Sequence, residues 1–244
     1  MQESFPIIIL NWNNAPDTIE CLESMKALTR TDYHIFLVDN NSREEDREYL
    51  KQYVASYQRL TFIQNNDNLG FGKAHNEVFE KYIIPGNYEY VILLNNDTTV
   101  HPDWLEKLIT CAKEENPGMI SCKMLNYHDH STVNNLGHKF QNTGDILPVA
   151  NNELSSKYTK RFINAGASGG AALYSVPMLR DIGIFDTYFF CGYEDAELGL
   201  RAMIAGYKLV FEPGSEVYHK VSAAVDKVRD YDFTLKIQLD IMFS

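Results

Sequence analysis

The chain has 244 residues and a formal net charge of −11, which argues against a nucleic-acid partner because phosphate backbones reward a basic surface. Hydrophobic residues make up 45% and charged residues 23%, the profile of an ordinary globular protein whose length suits one large α/β domain. No apolar run reaches transmembrane length, and Met1-Gln2-Glu3-Ser4 lacks the basic and apolar regions of a secretory signal, so the expected location is cytoplasmic.

Phe5 to Leu10 is a continuous apolar run and reads as a buried parallel strand. Asn13-Asn14-Ala15-Pro16 then supplies a helix start, with Ile19, Leu22, Met25 and Leu28 on one face. His34 to Val38 reads as a second strand. Ser42-Arg43-Glu44-Glu45 has the form of a capping box opening a second helix. Leu60 to Ile63 reads as a third strand. The turn at Asn68-Leu69-Gly70-Phe71-Gly72 leads into a helix that ends before Pro85-Gly86. Tyr90 to Leu94 reads as a fourth strand running into Asn95-Asn96-Asp97.

This alternation calls for a parallel sheet flanked by helices, in which ligands bind beyond the carboxyl ends of the strands. Polar clusters stand at those ends: Asn11-Trp12-Asn13, Asp39-Asn40-Asn41 and Asn95-Asn96-Asp97. The second half is less regular, and 126–161 is expected to form loops or a β-excursion. Ala171 to Val176 reads as a strand, and Glu194 to Ala205 as a helix closed by Gly206. Lys208 to Phe211 and Val217 to His219 read as two last strands. Leu235 to Phe243 reads as a further helix.

Several side chains could carry chemistry. Asp97, at a strand tip among amides, suits a hard divalent cation, although an Asp there also caps a turn. Glu194, Asp195 and Glu197 sit at a helix start behind the aromatic segment Tyr188 to Tyr193. They serve the helix dipole or, beside an aromatic wall that raises a carboxyl pKa, supply a general base. His219 ends a short strand. His128-Asp129-His130 resembles a metal cluster but reads as solvated loop. Gly70-Phe71-Gly72 lacks the third glycine of a dinucleotide fingerprint, and no P-loop is present. Cys21, Cys111, Cys122 and Cys191 form no C-x-x-C pair and read as reduced core thiols, with Cys191 set apart by its place beside the acidic cluster.

In order along nearly the whole chain, these segments resemble the family 2 inverting glycosyltransferases, in particular their rhamnosyltransferase-like branch. The resemblance runs through Ile9 to Asn13, Val38 to Ser42, Asn68 to Asn76, Leu93 to Asp97, Gly169-Gly170-Ala171, Gly183 to Asp186, Phe189-Phe190, Tyr193 to Glu197, Arg201, Gly206-Tyr207 and His219. It implies a GT-A fold, with a Rossmann-like, mostly parallel central sheet and a smaller mixed region on the acceptor side. On it, 1–125 is the nucleotide-sugar-binding half and 126–244 the acceptor-binding, catalytic half of one domain.

The resemblance also implies roles. Asp39 would contact the nucleotide base, with Asn11, Trp12, Asn13 and Asn41 lining the same pocket. Gly70, Phe71 and Asn76 would shape the donor pocket near ribose and diphosphate, with Asn95, Asn96 and Gly170 alongside. Asp97 would be a metal ligand and His219 the second one, holding Mn²⁺ or Mg²⁺. Asn95 stands where the family's D-x-D motif has its first Asp. Asp195 would be the catalytic base, preceded by Glu194, with Glu197 orienting the acceptor.

The expected reaction moves a sugar from a nucleotide-diphosphate donor, dTDP-rhamnose or a UDP-hexose, to a hydroxyl of a glycan or lipid-linked saccharide. Peripheral association with the inner face of a membrane is compatible with such an acceptor. A non-catalytic binding module derived from a transferase is the alternative, favoured by Asn95 and opposed by the joint presence of Asp97, Asp195 and His219. A sugar-nucleotide pyrophosphorylase would carry a Gly-rich basic loop where Asn11-Trp12-Asn13-Asn14 stands.

Overall fold

A computed structural model describes residues 4–221; the helix expected over Leu235 to Phe243 lies outside the described residues. The first half forms β1 (Phe5–Asn11), α1 (Ala15–Met25), β2 (Tyr33–Asp39), α2 (Glu44–Val54), β3 (Leu60–Gln64), α3 (Gly70–Val78) and β4 (Tyr90–Leu94). A short β5 (Thr98–Val100) and α4 (Trp104–Glu115) follow, then β6 (Met119–Asn126). The second half adds β7 (Asp129–Asn135), β8 (His138–Phe140), β9 (Ile146–Pro148), β10 (Phe162–Ile163), β11 (Ala171–Ser175), α5 (Val176–Ile182), α6 (Glu194–Ile204) and β12 (Leu209–His219).

Along the main sheet the order is β10-β12-β6-β11-β4-β1-β2-β3. β4, β1, β2 and β3 run parallel, and β11 is antiparallel to both β4 and β6. β1 and β4 are buried almost throughout, which is why each reads as an unbroken apolar run. The order reverses at β1: β2 and β3 lie on one side, β4 on the other. Such a reversal opens a crevice beyond the strand ends, here between Asn11 and Asn95.

Helices cover both faces. Leu22 and Met25 of α1, Leu50 of α2, and Trp104 and Leu108 of α4 pack into one core cluster. Val78 of α3, Val176 and Leu179 of α5, and Leu198 and Ala202 of α6 pack into a second. The three-layer α/β arrangement, with a second half that mixes antiparallel pairs with the parallel β6–β12 pair, is the GT-A fold.

Three local expectations are corrected. The helix after Ser42 starts at Glu44 with Arg43 as its N-cap and no side-chain cap. Ser42 instead accepts from the backbone N–H of Asn13 at 2.8 Å, so its hydroxyl is spent on the strand-end loop. The two last strands are one, β12, broken in register between Glu212 and Glu216 where Pro213 and Gly214 form a bulge. His128-Asp129-His130 is no loop cluster: Asp129 opens β7, and the His130 ring stacks on Tyr218. The stretch from 126 to 161 is otherwise the β-excursion, whose Val133 and Leu136 form a small core with Leu125 and Phe211. Cys21, Cys111 and Cys122 are buried free thiols, whereas Cys191 is exposed.

Candidate active site at the strand ends

A buried polar network fixes the donor side of the crevice. Asn11 Nδ2 donates to Asp39 Oδ1 at 3.0 Å, and to Ser42 Oγ and Asp46 Oδ2 at 3.1 Å each. Thr18 Oγ1 donates to Asn11 Oδ1 at 2.9 Å and accepts from Asn96 Nδ2 at 2.9 Å. Asp39 Oδ2 accepts from the Ser42 backbone at 3.2 Å. Asn11 and Asp39 are wholly buried in this network and brace the rim. Asn96 belongs to the same brace. Asn13 and Asn41, with φ of 52° and 63°, turn the chain in the left-handed region that Asn tolerates. Trp12 and Asn13 are half-buried and Asn41 is exposed, so they form the accessible rim.

Asn40 ties the next loop in, donating to Asn68 Oδ1 at 2.7 Å and accepting from the Leu69 backbone at 3.1 Å. Gly70 has φ +74°, and a Cβ there would lie 2.1 Å from the Phe190 carbonyl oxygen, so no larger residue fits. The Phe71 N–H donates to that same carbonyl at 2.7 Å. The Phe71 ring covers Gly169, where an added Cβ would meet it at 2.9 Å. Asn76 does not face a donor: its amide donates to the Phe185 carbonyl at 2.7 Å and accepts from the Phe185 N–H at 3.2 Å. It shapes the pocket by holding the 183–186 segment against α3.

β5 pairs antiparallel with β12 so that Thr98 stands opposite His219, and this register delivers His219 to Asp97. His219 Nε2 lies 3.2 Å from Asp97 Oδ1, and the Lys220 N–H donates to the Asp97 carbonyl at 3.0 Å. His219 Nδ1 lies 3.0 Å from Asn134 Oδ1 on β7. The amide oxygen accepts, so Nδ1 donates to it. A protonated ring would donate from Nε2 to Asp97, and the same carboxylate oxygen and imidazole nitrogen are donor types that suit Mn²⁺ or Mg²⁺. No group of three or more His, Cys, Asp or Glu side chains placed to hold a metal ion occurs among the described residues. Sequence reasoning missed Asn134; nothing in its own segment marks it, because its partner is 85 positions away.

The acidic segment is divided sharply. Tyr193, with φ +71°, turns the chain into α6. Asp195 then accepts from the Ala196 N–H at Oδ1 and from the Gly169 N–H at Oδ2, each at 2.8 Å. Glu194 is buried, with Oε2 lacking a partner among the described residues. Burial, and then the charge of Asp195, push its pKa up to about 8. The rise expected of a carboxyl beside an aromatic wall falls on Glu194.

The Glu197 carboxylate clamps Arg201 at 2.5 and 2.7 Å, and that guanidinium donates to the Ile182 and Ile184 carbonyls at 2.6 and 2.7 Å. This clamp secures the loop after α5. The two reactive ends are joined through Gly169-Gly170: Gly169 donates to Asp195, and the Gly170 carbonyl accepts from the Asn95 N–H at 2.8 Å. A Cβ on Gly170 would lie 2.8 Å from the Met124 methyl, so that side chain packs closely over the link.

The sequence profile of the family described as Glycosyl transferase family 2 matches residues 7–183. The O-antigen biosynthesis protein RfbC of Myxococcus xanthus is 26% identical over 93% of this chain, which spans only 18% of that protein's length. The N-acetylglucosaminyl-diphospho-decaprenol L-rhamnosyltransferase of Mycobacterium tuberculosis is 22% identical over 90% of this chain and 76% of its own. Among solved structures, GalNAc-T7 with UDP, GalNAc and Mn²⁺ superposes with a TM-score of 0.73 at 17% identity, over 88% of this chain and 43% of that one. Among the described residues no helix is long and apolar enough to cross a membrane. With the profile matched over residues 7–183, most of the sheet, the chain belongs to glycosyl transferase family 2.

Proposed function

We propose that the chain transfers a sugar from a nucleotide-diphosphate donor to an acceptor hydroxyl by one direct displacement that inverts the anomeric carbon. The observation that carries this reading is the meeting of Asp97 and His219 at 3.2 Å on the rim to which Gly169 also ties Asp195. A divalent cation bound by Asp97 and His219 would offset the negative charge that gathers on the departing diphosphate.

Asp195 is the general base. Its side chain is part-exposed, and backbone N–H groups on both oxygens aim it. It takes the acceptor hydroxyl's proton as that oxygen bonds to the anomeric carbon, and the diphosphate leaves with the electron pair of the broken bond. Glu194, protonated at neutral pH by burial, adds no second negative charge beside it. Trp12, Asn13 and Asn41 line the nucleotide pocket, and Phe71 with Gly170 bounds the diphosphate side.

The donor is dTDP-rhamnose or a UDP-hexose. The mycobacterial relative's name supports the former, and the UDP and GalNAc in the GalNAc-T7 structure support the latter. The acceptor is a growing glycan or a lipid-linked saccharide, in keeping with the RfbC relative's name. Proton NMR of the product formed from each donor tests the displacement. An inverted anomeric configuration is expected; a retained one would overturn the single-step mechanism.

A further inference from the structure

His138 lies in none of the segments that carry the family resemblance, yet it faces the carboxylate on which the proposed reaction turns. Its Nε2 stands 3.7 Å from Asp195 Oδ2. The residue is buried, and its backbone is pinned on both sides: its N–H donates to Gly166 at 2.8 Å, and its carbonyl accepts from Ala165 at 2.9 Å. The closeness comes from two glycines. A Cβ on Gly166, at φ +150°, would lie 3.1 Å from the Gly199 Cα, and a Cβ on Gly199 would lie 2.8 Å from the Ala165 oxygen. α6 can therefore press directly on the 165–166 segment, and this brings its first turn up to β8.

The imidazole has no structural hydrogen bond to explain its burial. Nδ1 is buried without a partner among the described residues, and Asp195 is the polar group within reach of Nε2. Buried polar side chains are ordinarily satisfied, so one left open against a carboxylate marks a working position. The other titratable groups facing Asp195 are Glu194 on α6, Tyr174 on β11 and Cys191 before α6. All three are acids. His138 is thus the base among them, and the side chain able to favour an ionised Asp195.

We propose that His138 is a positioning residue for Asp195, donating from Nε2 to Oδ2 and so holding the carboxylate ionised and aimed at the acceptor hydroxyl. This rests on the reading of Asp195 as the base. The 3.7 Å separation closes to a hydrogen bond when an acceptor fills the site, as loose contacts in ligand-free sites commonly do.

The test compares His138→Gln, His138→Asn and His138→Ala with Asp195→Asn, measuring kcat, both KM values and the pH profile of kcat. Gln carries an amide N–H near the place of Nε2, whereas Asn carries one near Nδ1. His138→Asn and His138→Ala should lose roughly tenfold to a hundredfold in kcat with donor KM unchanged, and His138→Gln should keep most activity. The acidic limb of the profile should move up by about one pH unit in His138→Ala, because a carboxylate that loses its donor is harder to ionise.

Thermal unfolding checks that each variant folds, and the Gln-against-Asn contrast carries the test if the Ala variant does not. Equal losses in all three with an unmoved acidic limb would mean packing alone and would overturn the inference. So would wild-type kcat in every His138 variant while Asp195→Asn is inactive. Full activity in Asp195→Asn would instead remove the base itself, and this inference with it.

Discussion

The two sides of the crevice are built differently. On the donor side, Asn11, Thr18, Asp39, Ser42 and Asn96 satisfy one another in a network reaching from α1 to β4. On the acceptor side, His138 Nδ1, Tyr174 Oη and Glu194 Oε2 are buried without partners, three of the five such atoms among the described residues. Satisfied networks rigidify, while open polar atoms and raised pKa values gather where protons move. The difference separates a preformed cradle from a reactive wall, and the predictions below press on it from each side.

The largest effect belongs to the reactive wall. Asp195→Asn should lower kcat by about 10²- to 10⁴-fold while leaving donor affinity intact, read by steady-state kinetics beside donor titration calorimetry. At the junction of the two sides, His219→Ala should abolish Mn²⁺ binding, and Asn134→Ala should weaken it by about 10–100-fold by freeing the ring, both read by Mn²⁺ titration calorimetry.

The cradle should respond in stability. Asn11→Ala removes the buried donor to Asp39 Oδ1 and one acceptor of the Thr18 hydroxyl and should cost about 1–3 kcal/mol in urea unfolding. A loss of activity without loss of stability there would blur the distinction.

The smallest effect is a slope. Glu194 titrates near 4.5 when unfolded and at about 8 when folded. The folded state therefore holds the extra proton across that window, and stability falls as pH rises through it and levels off above. Glu194→Gln, neutral at every pH, should flatten this slope in urea midpoints collected across the same window. An unchanged slope would show that another group titrates there.

Much of the cradle was legible in the sequence because its parts are local. Buried parallel strands are continuous apolar runs, so β1, β2 and β4 declared themselves and their polar ends marked the rim. β6 did not, because Lys123 interrupts its run; that buried ammonium is paired with Glu216, 3.1 Å away on the adjacent strand β12 but 93 positions along the chain. β12 hid behind Pro213-Gly214, which looks like a break and is a bulge. The reactive wall was harder to read. The resemblance singled out Asp195, but the exchange of environments between Glu194 and Asp195 depends on which way a left-handed Tyr193 turns the helix start. The clamp of Glu197 on Arg201 was not read from the sequence. Asn134 and His138 are invisible in sequence because each acquires its meaning from a partner brought in by sheet register.

The central claim is a metal-dependent nucleotide-diphosphate site at Asp97 and His219. A thermal-shift screen of UDP, dTDP and GDP, with CMP as control, each with and without Mn²⁺, tests it most directly, since a ligand of the native state raises the melting temperature with its occupancy. A shift with one diphosphate that needs Mn²⁺ and disappears in His219→Ala is the expected result. No shift with any diphosphate, or one indifferent to both metal and His219, would contradict it.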